Sequence, residues 1–548
     1  MGPLNDITEK TWSALVQHKQ QDLVQAVNAK SDPAEAAEVL QQQLQDVANT
    51  QGEDAAHAAL AEYIESDPKE AAEVIAALYG SRDLLPDDET AAVDALLQGG
   101  VREAVSSLSA SEREDFARAL GEGTAVNNLT GQALRGITQL VMESGSEAFK
   151  ADYVEQGLRL VNERSAGGSY TQAGNHWVDF VSTLGFVAAD SPAAAQAAFN
   201  VAKNEGFSGG AAGEEGVREL FQALAIDNPI VGSPLNPHPD EAPYTRVLEQ
   251  LMSSPYIPGV PAAALGRLSA DDALLVWKAI TGVQEGSLGV TLLEADQAEG
   301  DNRGTQLTSE LFMRYMPQWI DSGAVSLDSG YIQSDMVQPL DNFFRSALFD
   351  PNEDNPARDA LFSTTAELLV DLGQGSTGRG LSEEARGRLM GSLSTMVNNG
   401  FDSYVDASGA QGKLAAINFA IDQAAGVGGA ALSLTGPAKV LAGAALGAGK
   451  EGVKAIAADL VARGIEEDKA QAAAELAVNG DLAGAFEKIG LTGPQWQQTA
   501  ELIDDRSDVI ASGDYTFGEL LQSVMNIGFP DQSANIAEGR REITDALD

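Results

Sequence analysis

Ser31 to Leu40 reads SDPAEAAEVL and Ser66 to Ile75 reads SDPKEAAEVI, two near-identical decapeptides 35 residues apart (66 − 31). Both open with the same helix-start signal. Asp32 and Asp67 stand where a side-chain oxygen caps free amides, and Pro33 and Pro68 follow at the first helical position. Glu35 and Glu70 then fall in the first turn, at the positive end of the helix dipole. A period of 35 residues is the length of a helical hairpin. Only two copies are self-similar, whereas a stack needs about three to be stable. The aromatic and glycine consensus of a tetratricopeptide array is also missing, so the reading is a helical bundle with one duplicated hairpin. Ser111-Glu112-Arg113-Glu114 reads as a capping box for a further helix, out of register with the pair.

The same punctuation recurs downstream. Ser191-Pro192 opens a helix that Gly206 closes, Ser269 with Asp272 opens one through Trp277 to Gly282, and Asn355-Pro356 opens one that Gly373 closes. The best strand candidate is the single short run Gly286 to Ala295 (GSLGVTLLEA). Aromatics supply 6% of the residues against 44% apolar in total, a composition that suits closely packed helices better than a β-sandwich core. The expected class is all-α, as multi-domain helical bundles with a short hairpin repeat at the N-terminus.

Breaks in composition divide the chain. The expected parts are an N-terminal helical region (1–165) and a second helical region (166–228), then a proline-rich linker (229–262) and a C-terminal helical body (263–548). The linker lies in the stretch from Asn228 to Pro261, which holds eight of the twenty prolines, a density that prevents continuous helix.

Charge excludes whole classes of function. With 81 acidic and 34 basic residues the formal charge is −47, and Lys and Arg are scattered singly. Such a surface repels phosphate, so no nucleic-acid partner is expected, and anionic membranes are disfavoured near neutral pH. A protein partner with basic character fits. The absence of cysteine removes disulfides, thiolate metal sites and thiol nucleophiles. Met1 to Asp6 has neither a charged n-region nor an apolar h-region, so the expected location is the bacterial cytoplasm, or outside it by a signal-peptide-independent route.

Candidate chemistry is sparse. Gly206-Phe207-Ser208-Gly209-Gly210 fits the nucleophile-elbow spacing, with His176 and Asp179 available on paper as triad partners. That motif needs a strand before the serine, however, and Pro192 to Glu205 reads as helix. Gly373-Gln374-Gly375-Ser376-Thr377-Gly378-Arg379-Gly380 lacks the lysine and the hydroxyl residue of a phosphate-binding loop. His18, His57, His176 and His238 are far apart, Asp350 to Asp354 fails the calcium-loop pattern at its glycine and glutamate positions, and no metal or cofactor is expected.

One segment stands out. Within 413–460, residues Gln423 to Ala438 carry no charge, and Val440 to Gly449 continue the apolar character after Lys439. Ala424, Gly426, Gly428, Gly429, Leu432 and Leu434 make one half; Leu441, Gly443 and Leu446 belong to the other, with Gly436 and Pro437 at the turn. Small residues at these spacings allow close helix approach, either as a packed core hairpin or as a latent membrane-inserting pair at low pH. The uncharged run is shorter than the roughly twenty residues that span a bilayer. In composition the chain resembles helical effector and pore-forming proteins, a likeness that carries no residue roles. The leading expectation is a non-catalytic interaction protein, such as a bacterial secreted effector or toxin-like component acting through protein contacts or membrane insertion. The alternatives are a scaffold that binds a basic partner and, last, a serine hydrolase using Ser208.

Overall fold

The start signals become helix starts. A computed structural model describes residues 23–30, 32–81, 87–126, 131–165, 175–208, 210–225, 243–252, 268–282, 292–293, 303–348, 356–408, 440–441, 453–512, 523 and 525–547. Asp32 Oδ1 accepts from the Ala34 N–H at 2.9 Å and Asp67 Oδ1 from the Glu70 N–H at 3.0 Å. These caps begin α1 (Pro33–Gln51) and α3 (Pro68–Gly80), with α2 (Glu53–Ser66) between them. The next capping box sits two residues earlier than the sequence suggests. The Ser109 N–H donates to the Glu112 carboxylate and the Glu112 N–H donates back to Ser109 Oγ. Leu108 is buried at the end of the preceding helix, so the chain reverses immediately after it.

Every named element is helical. Among the described residues there is no strand, only an isolated antiparallel bridge between Ser326 and Ile332. Of the run expected as a strand, Leu292 and Leu293 are helical and buried, and its remaining residues lie outside the described ones. The chain divides into two compact units, Met1–Ser269 and Ala270–Asp548.

The first unit continues with α4 (Asp87–Ser107), α5 (Ala110–Val126), α6 (Gly131–Glu143), α7 (Glu147–Arg164), α8 (Asn175–Asp190), α9 (Pro192–Glu205), α10 (Glu214–Ala225) and α11 (Pro243–Met252). Its helices stack in two layers. The odd-numbered ones pack in succession, α1 on α3, α3 on α5, and so on to α11; the even-numbered ones do the same from α2 to α10. No substantial contact joins helices more than three elements apart. The hairpin repeat therefore runs much further than its self-similar sequence. Odd-layer helices start at Pro33, Pro68, Ala110, Glu147, Pro192 and Pro243, at intervals from 35 residues (Pro33 to Pro68) to 51 (Pro192 to Pro243), and these unequal connections erase the period. What persists is geometry, since each hairpin buries its apolar face only against its neighbours. Close approach is built in. A Cβ on Gly100 would lie 2.6 Å from the Leu60 side chain, and one on Gly157 2.6 Å from that of Leu184.

The second unit is a bundle of another kind. α12 (Ala270–Thr281), α13 (Arg303–Asp321), α14 (Ser334–Leu348), α15 (Pro356–Gln374) and α16 (Glu383–Ser408) pack together, and α21 (Ser533–Leu547) lies along α16. Its core is an aromatic cluster. The Trp277 ring centroid is 5.3 Å from Phe343, 5.7 Å from Trp319 and 6.3 Å from Phe312, and Phe344 stands edge-on to Phe312 at 5.4 Å. Phe343 and Phe344 thus form a helix–helix contact. α17 (Val453–Ala462), α18 (Glu467–Val478), α19 (Leu482–Lys488) and α20 (Pro494–Ser512) make a separate cluster of alanine-lined helices around Phe486 and Trp496.

Candidate functional site

Of the first unit's connections of three residues or fewer, four fall on one edge and the fifth, Gly52 between α1 and α2, falls on the other. α2 turns into α3 through Asp67 alone, α4 into α5 through 108–109, α6 into α7 through 144–146, and α8 into α9 through Ser191 alone. Three of these turns carry their own caps: Asp67 accepts from Glu70 N–H, Ser146 Oγ from Phe149 N–H and Ser191 Oγ from Ala194 N–H. Ser109 completes the set through its capping box. These four turns lie where even-layer helices end and odd-layer helices begin, on one edge of the stack; the next connection on that edge, 226–242, is long.

Each hairpin is stapled to the next along that edge. Ser107 donates to the Glu65 carboxylate, the Arg102 guanidinium to the Glu143 carbonyl at 2.9 Å, Arg113 pairs with Asp152, Ser191 donates to Glu147, and Lys150 meets Asp190 at 2.9 Å. Gln250 donates to the Ala189 carbonyl at 3.2 Å. On the rest of the odd layer, Arg118 reaches Glu163 at 2.8 Å and Arg159 reaches Glu205 at 2.7 Å. From α2 to α9, these charged and hydroxyl staples join residues 39 to 46 positions apart, one hairpin each. Arg102, Arg113, Arg118, Lys150 and Arg159 all reach from one repeat to the next.

The surroundings tune these groups. Burial pushes the Asp152 carboxyl up to about 6, against the opposing pull of Arg113 and with help from Glu114 and Glu155. Burial alone would lower Lys150, but Asp190 and Glu147 outweigh it and hold the ammonium above the ordinary lysine range. Glu70 is raised by burial and then by Asp67 and Glu73, whereas the Ser109 hydroxyl and amide hold Glu112 below the usual carboxylate range.

The exposed charged groups of the edge are mostly acidic, with Lys69 and Arg102 exposed among them. Near the ends of α2, α4, α6 and α8 stand Glu65, Glu103, Glu143 and Asp190, all exposed; Asp190 is paired with Lys150, and the Arg102 guanidinium sits on the Glu143 carbonyl. A carboxylate at a helix C-terminus opposes the dipole and weakens the helix by about 0.3–1 kcal/mol. Sequence reading passes over these four because carboxylates are everywhere in this chain. The readable signal is position, since each closely precedes one of the turn residues Asp67, Ser109, Ser146 and Ser191.

The sequence candidates fall elsewhere. Ser208 follows α9, with no strand before it, and takes φ +57° as the second residue of a turn closed by the Gly210 N–H on the Phe207 carbonyl at 2.9 Å. Gly206 is required there, because a Cβ would lie 2.4 Å from the Gly210 carbonyl oxygen. His176 and Asp179 belong to the first turns of α8, and their side chains lie outside the described residues. In the loop from Gly373 to Gly380 the Gly378 N–H donates to Asp321 Oδ1 at 2.7 Å and the Arg379 N–H does so at 3.4 Å. Its amides hold an anion, and the anion is the chain's own carboxylate. Of the residues named for the apolar hairpin only Leu441 is described. It is buried with Ile456, Ala457 and Leu460 in the core of α17–α20; Ala424, Gly426, Gly428, Gly429, Leu432, Leu434, Gly436, Pro437, Gly443 and Leu446 lie outside the described residues. Asp350 to Asp354 lie outside them as well. Among the described residues no helix is long and apolar enough to cross a membrane, and no cluster of three His, Asp or Glu could hold a metal ion.

No protein-family model matches the chain, and no curated protein does. Among solved structures it is similar to a circular tandem repeat protein with novel repeat topology and enhanced subunit contact surfaces, at 13% identity over 97% of each chain with a TM-score of 0.18, a score too low to transfer anything.

Proposed function

We propose that the chain is a non-catalytic helical interaction protein, and that its stacked-hairpin unit binds a basic partner along the tight-turn edge. The observation that supports this is the run of exposed carboxylates near the C-termini of four even-layer helices, Glu65, Glu103, Glu143 and Asp190, of which Asp190 is paired with Lys150. A stack of this kind supplies an extended surface, and charge complementarity along it sets partner choice and encounter rate. Titration calorimetry with a lysine-rich peptide at two salt concentrations tests it. Replacing Glu65, Glu103 and Glu143 with glutamine removes three edge charges; replacing Glu467, Asp468 and Glu475 with their amides removes three exposed charges from the second unit. The edge variant is expected to lose roughly tenfold in affinity at low salt and the control much less, in keeping with short-range screening. Equal losses would reduce the binding to bulk acidity and remove the edge from the account.

A finer reading, as a bacterial secreted effector or toxin-like component that inserts into membranes, rests on the uncharged run Gln423 to Ala438. Leu441, the described residue of the hairpin, is buried among α17–α20, as a packed core hairpin requires of it. Dye release from liposomes near pH 5, abolished by Gly436→Asp, is the result that would carry the insertion reading instead.

A further inference from the structure

α21 meets α16 backbone to backbone. A Cβ on Gly539 would lie 2.0 Å from the Arg388 carbonyl oxygen, and one on Gly391 would lie 2.1 Å from that of Ile536. Each contact sets a glycine of one helix against the main chain of the other. Polar groups close the rim of this contact. Glu538 takes the Arg388 guanidinium on one oxygen and the Tyr331 hydroxyl on the other, both at 3.0 Å, while the Arg388 guanidinium lies over the Tyr331 ring at 5.4 Å. Ser392 donates to the Gly539 carbonyl at 3.2 Å, and Gln532 donates to the Gly373 carbonyl at 3.2 Å.

Apolar burial on α21 is thin by comparison. Of its fifteen residues only Ile536, Gly539 and Ile543 are buried, whereas α13 buries eleven of nineteen. Apolar area removed from water is the main source of a helix's hold, and elements with little of it open first. α21 is thus joined to its bundle by shape and by a half-buried polar latch. Its place in the chain adds to this. α16 ends at Ser408 and α21 begins at Ser533, and the four helices α17–α20 between them make their substantial contacts with one another. Phe486 and Trp496, edge to face at 5.3 Å, anchor that module.

We propose that α21 is a strap that opens and closes on α16 as a unit while α12–α16 and the α17–α20 module stay folded. Opening uncovers the notched face of α16 at Gly387, Gly391 and Ser392 and releases the C-terminal attachment of the module from the bundle. Glu538 is the latch, since it takes both the Arg388 guanidinium and the Tyr331 hydroxyl.

Hydrogen exchange on the full chain, read by mass spectrometry, tests the strap. Amides across Ile536 to Ile543 are expected to exchange at one common rate, roughly tenfold faster than those in the middle of α13 and α18, as a sub-global opening requires. Glu538→Gln should speed α21 severalfold and leave α13 and α18 unchanged. Gly539→Ala should do so more strongly, and the milder Glu538→Gln keeps the test intact if that variant fails to fold. Rates graded inward from Leu547 and indifferent to Glu538→Gln would reduce α21 to a fraying end. Protection of α21 equal to that of α13, with Glu538→Gln lowering both together, would make it a fixed part of the bundle. Either result overturns the strap.

Discussion

The two units solve the same problem, hiding the apolar faces of helices, by opposite use of the chain. In the first, charged pairs link residues about one hairpin apart, such as Arg159 with Glu205, 46 positions on. In the second, the latch joins Arg388 to Glu538 across 150 positions, and Tyr331 to Glu538 across 207. Local contacts let a stack form and fail hairpin by hairpin. Long-range closure brings the last helix back onto the bundle, at the cost of ordering the chain between. Cooperativity is expected to be graded in one unit and collective in the other.

The strongest test removes the centre of the aromatic cluster. Trp277→Ala is expected to destabilise the second unit by about 3–5 kcal/mol, the usual cost of an aromatic truncation in a packed core. In denaturant, helices α12–α16 should melt together while the first unit keeps its own midpoint. A parallel loss in the first unit would break the comparison.

A smaller effect should show how disturbance spreads through the stack. Gly100→Val places a side chain against Leu60, where even a Cβ would lie 2.6 Å away. Overpacking of this kind costs about 1–3 kcal/mol. Hydrogen-exchange protection should fall most in α2 and α4 and recover by α8. Uniform loss from α1 to α11 would make the first unit one block, like the second.

The smallest expected effect is pH-dependent and belongs to the first unit alone. The folded Asp152 carboxyl stands near 6, above its ordinary value, so in the window between about 4 and 6 the folded state holds a proton that the unfolded state has released. Its contribution to stability is full below that window and is lost as pH rises through it. Asp152 is itself partly open to solvent, which relieves part of the burial penalty and holds the effect to the order of 1 kcal/mol. Asp152→Asn should flatten the dependence of the first unit's midpoint between pH 4 and 6 and leave the second unit's unchanged.

Much of the fold is legible in punctuation. Asp32-Pro33, Asp67-Pro68 and Ser191-Pro192 mark helix starts that hold to the residue, because a cap acts on amides two or three positions away and needs no tertiary partner. The capping box written at Ser111 falls instead at Ser109, where burial of Leu108 decides the reversal. The stack itself is hidden. Ser31 to Leu40 and Ser66 to Ile75 repeat visibly, but connections such as 165–174 and 206–213 differ in length and dissolve the period. The acidic edge is hidden for another reason. With 81 carboxylates, Glu65 and Glu143 are inconspicuous until the helices that end in them are laid side by side.

The sequence by itself determined the helical class, the absence of thiol chemistry, the overall negative charge and most helix starts, because composition and capping act within a few residues. Only the tertiary structure decided that hairpins stack rather than bundle in the first unit, that four carboxylates line one edge, and that α21 returns to α16. Those depend on which apolar face finds which partner. That choice is made over forty residues in one unit and over more than a hundred in the other, and no local signal spans either distance.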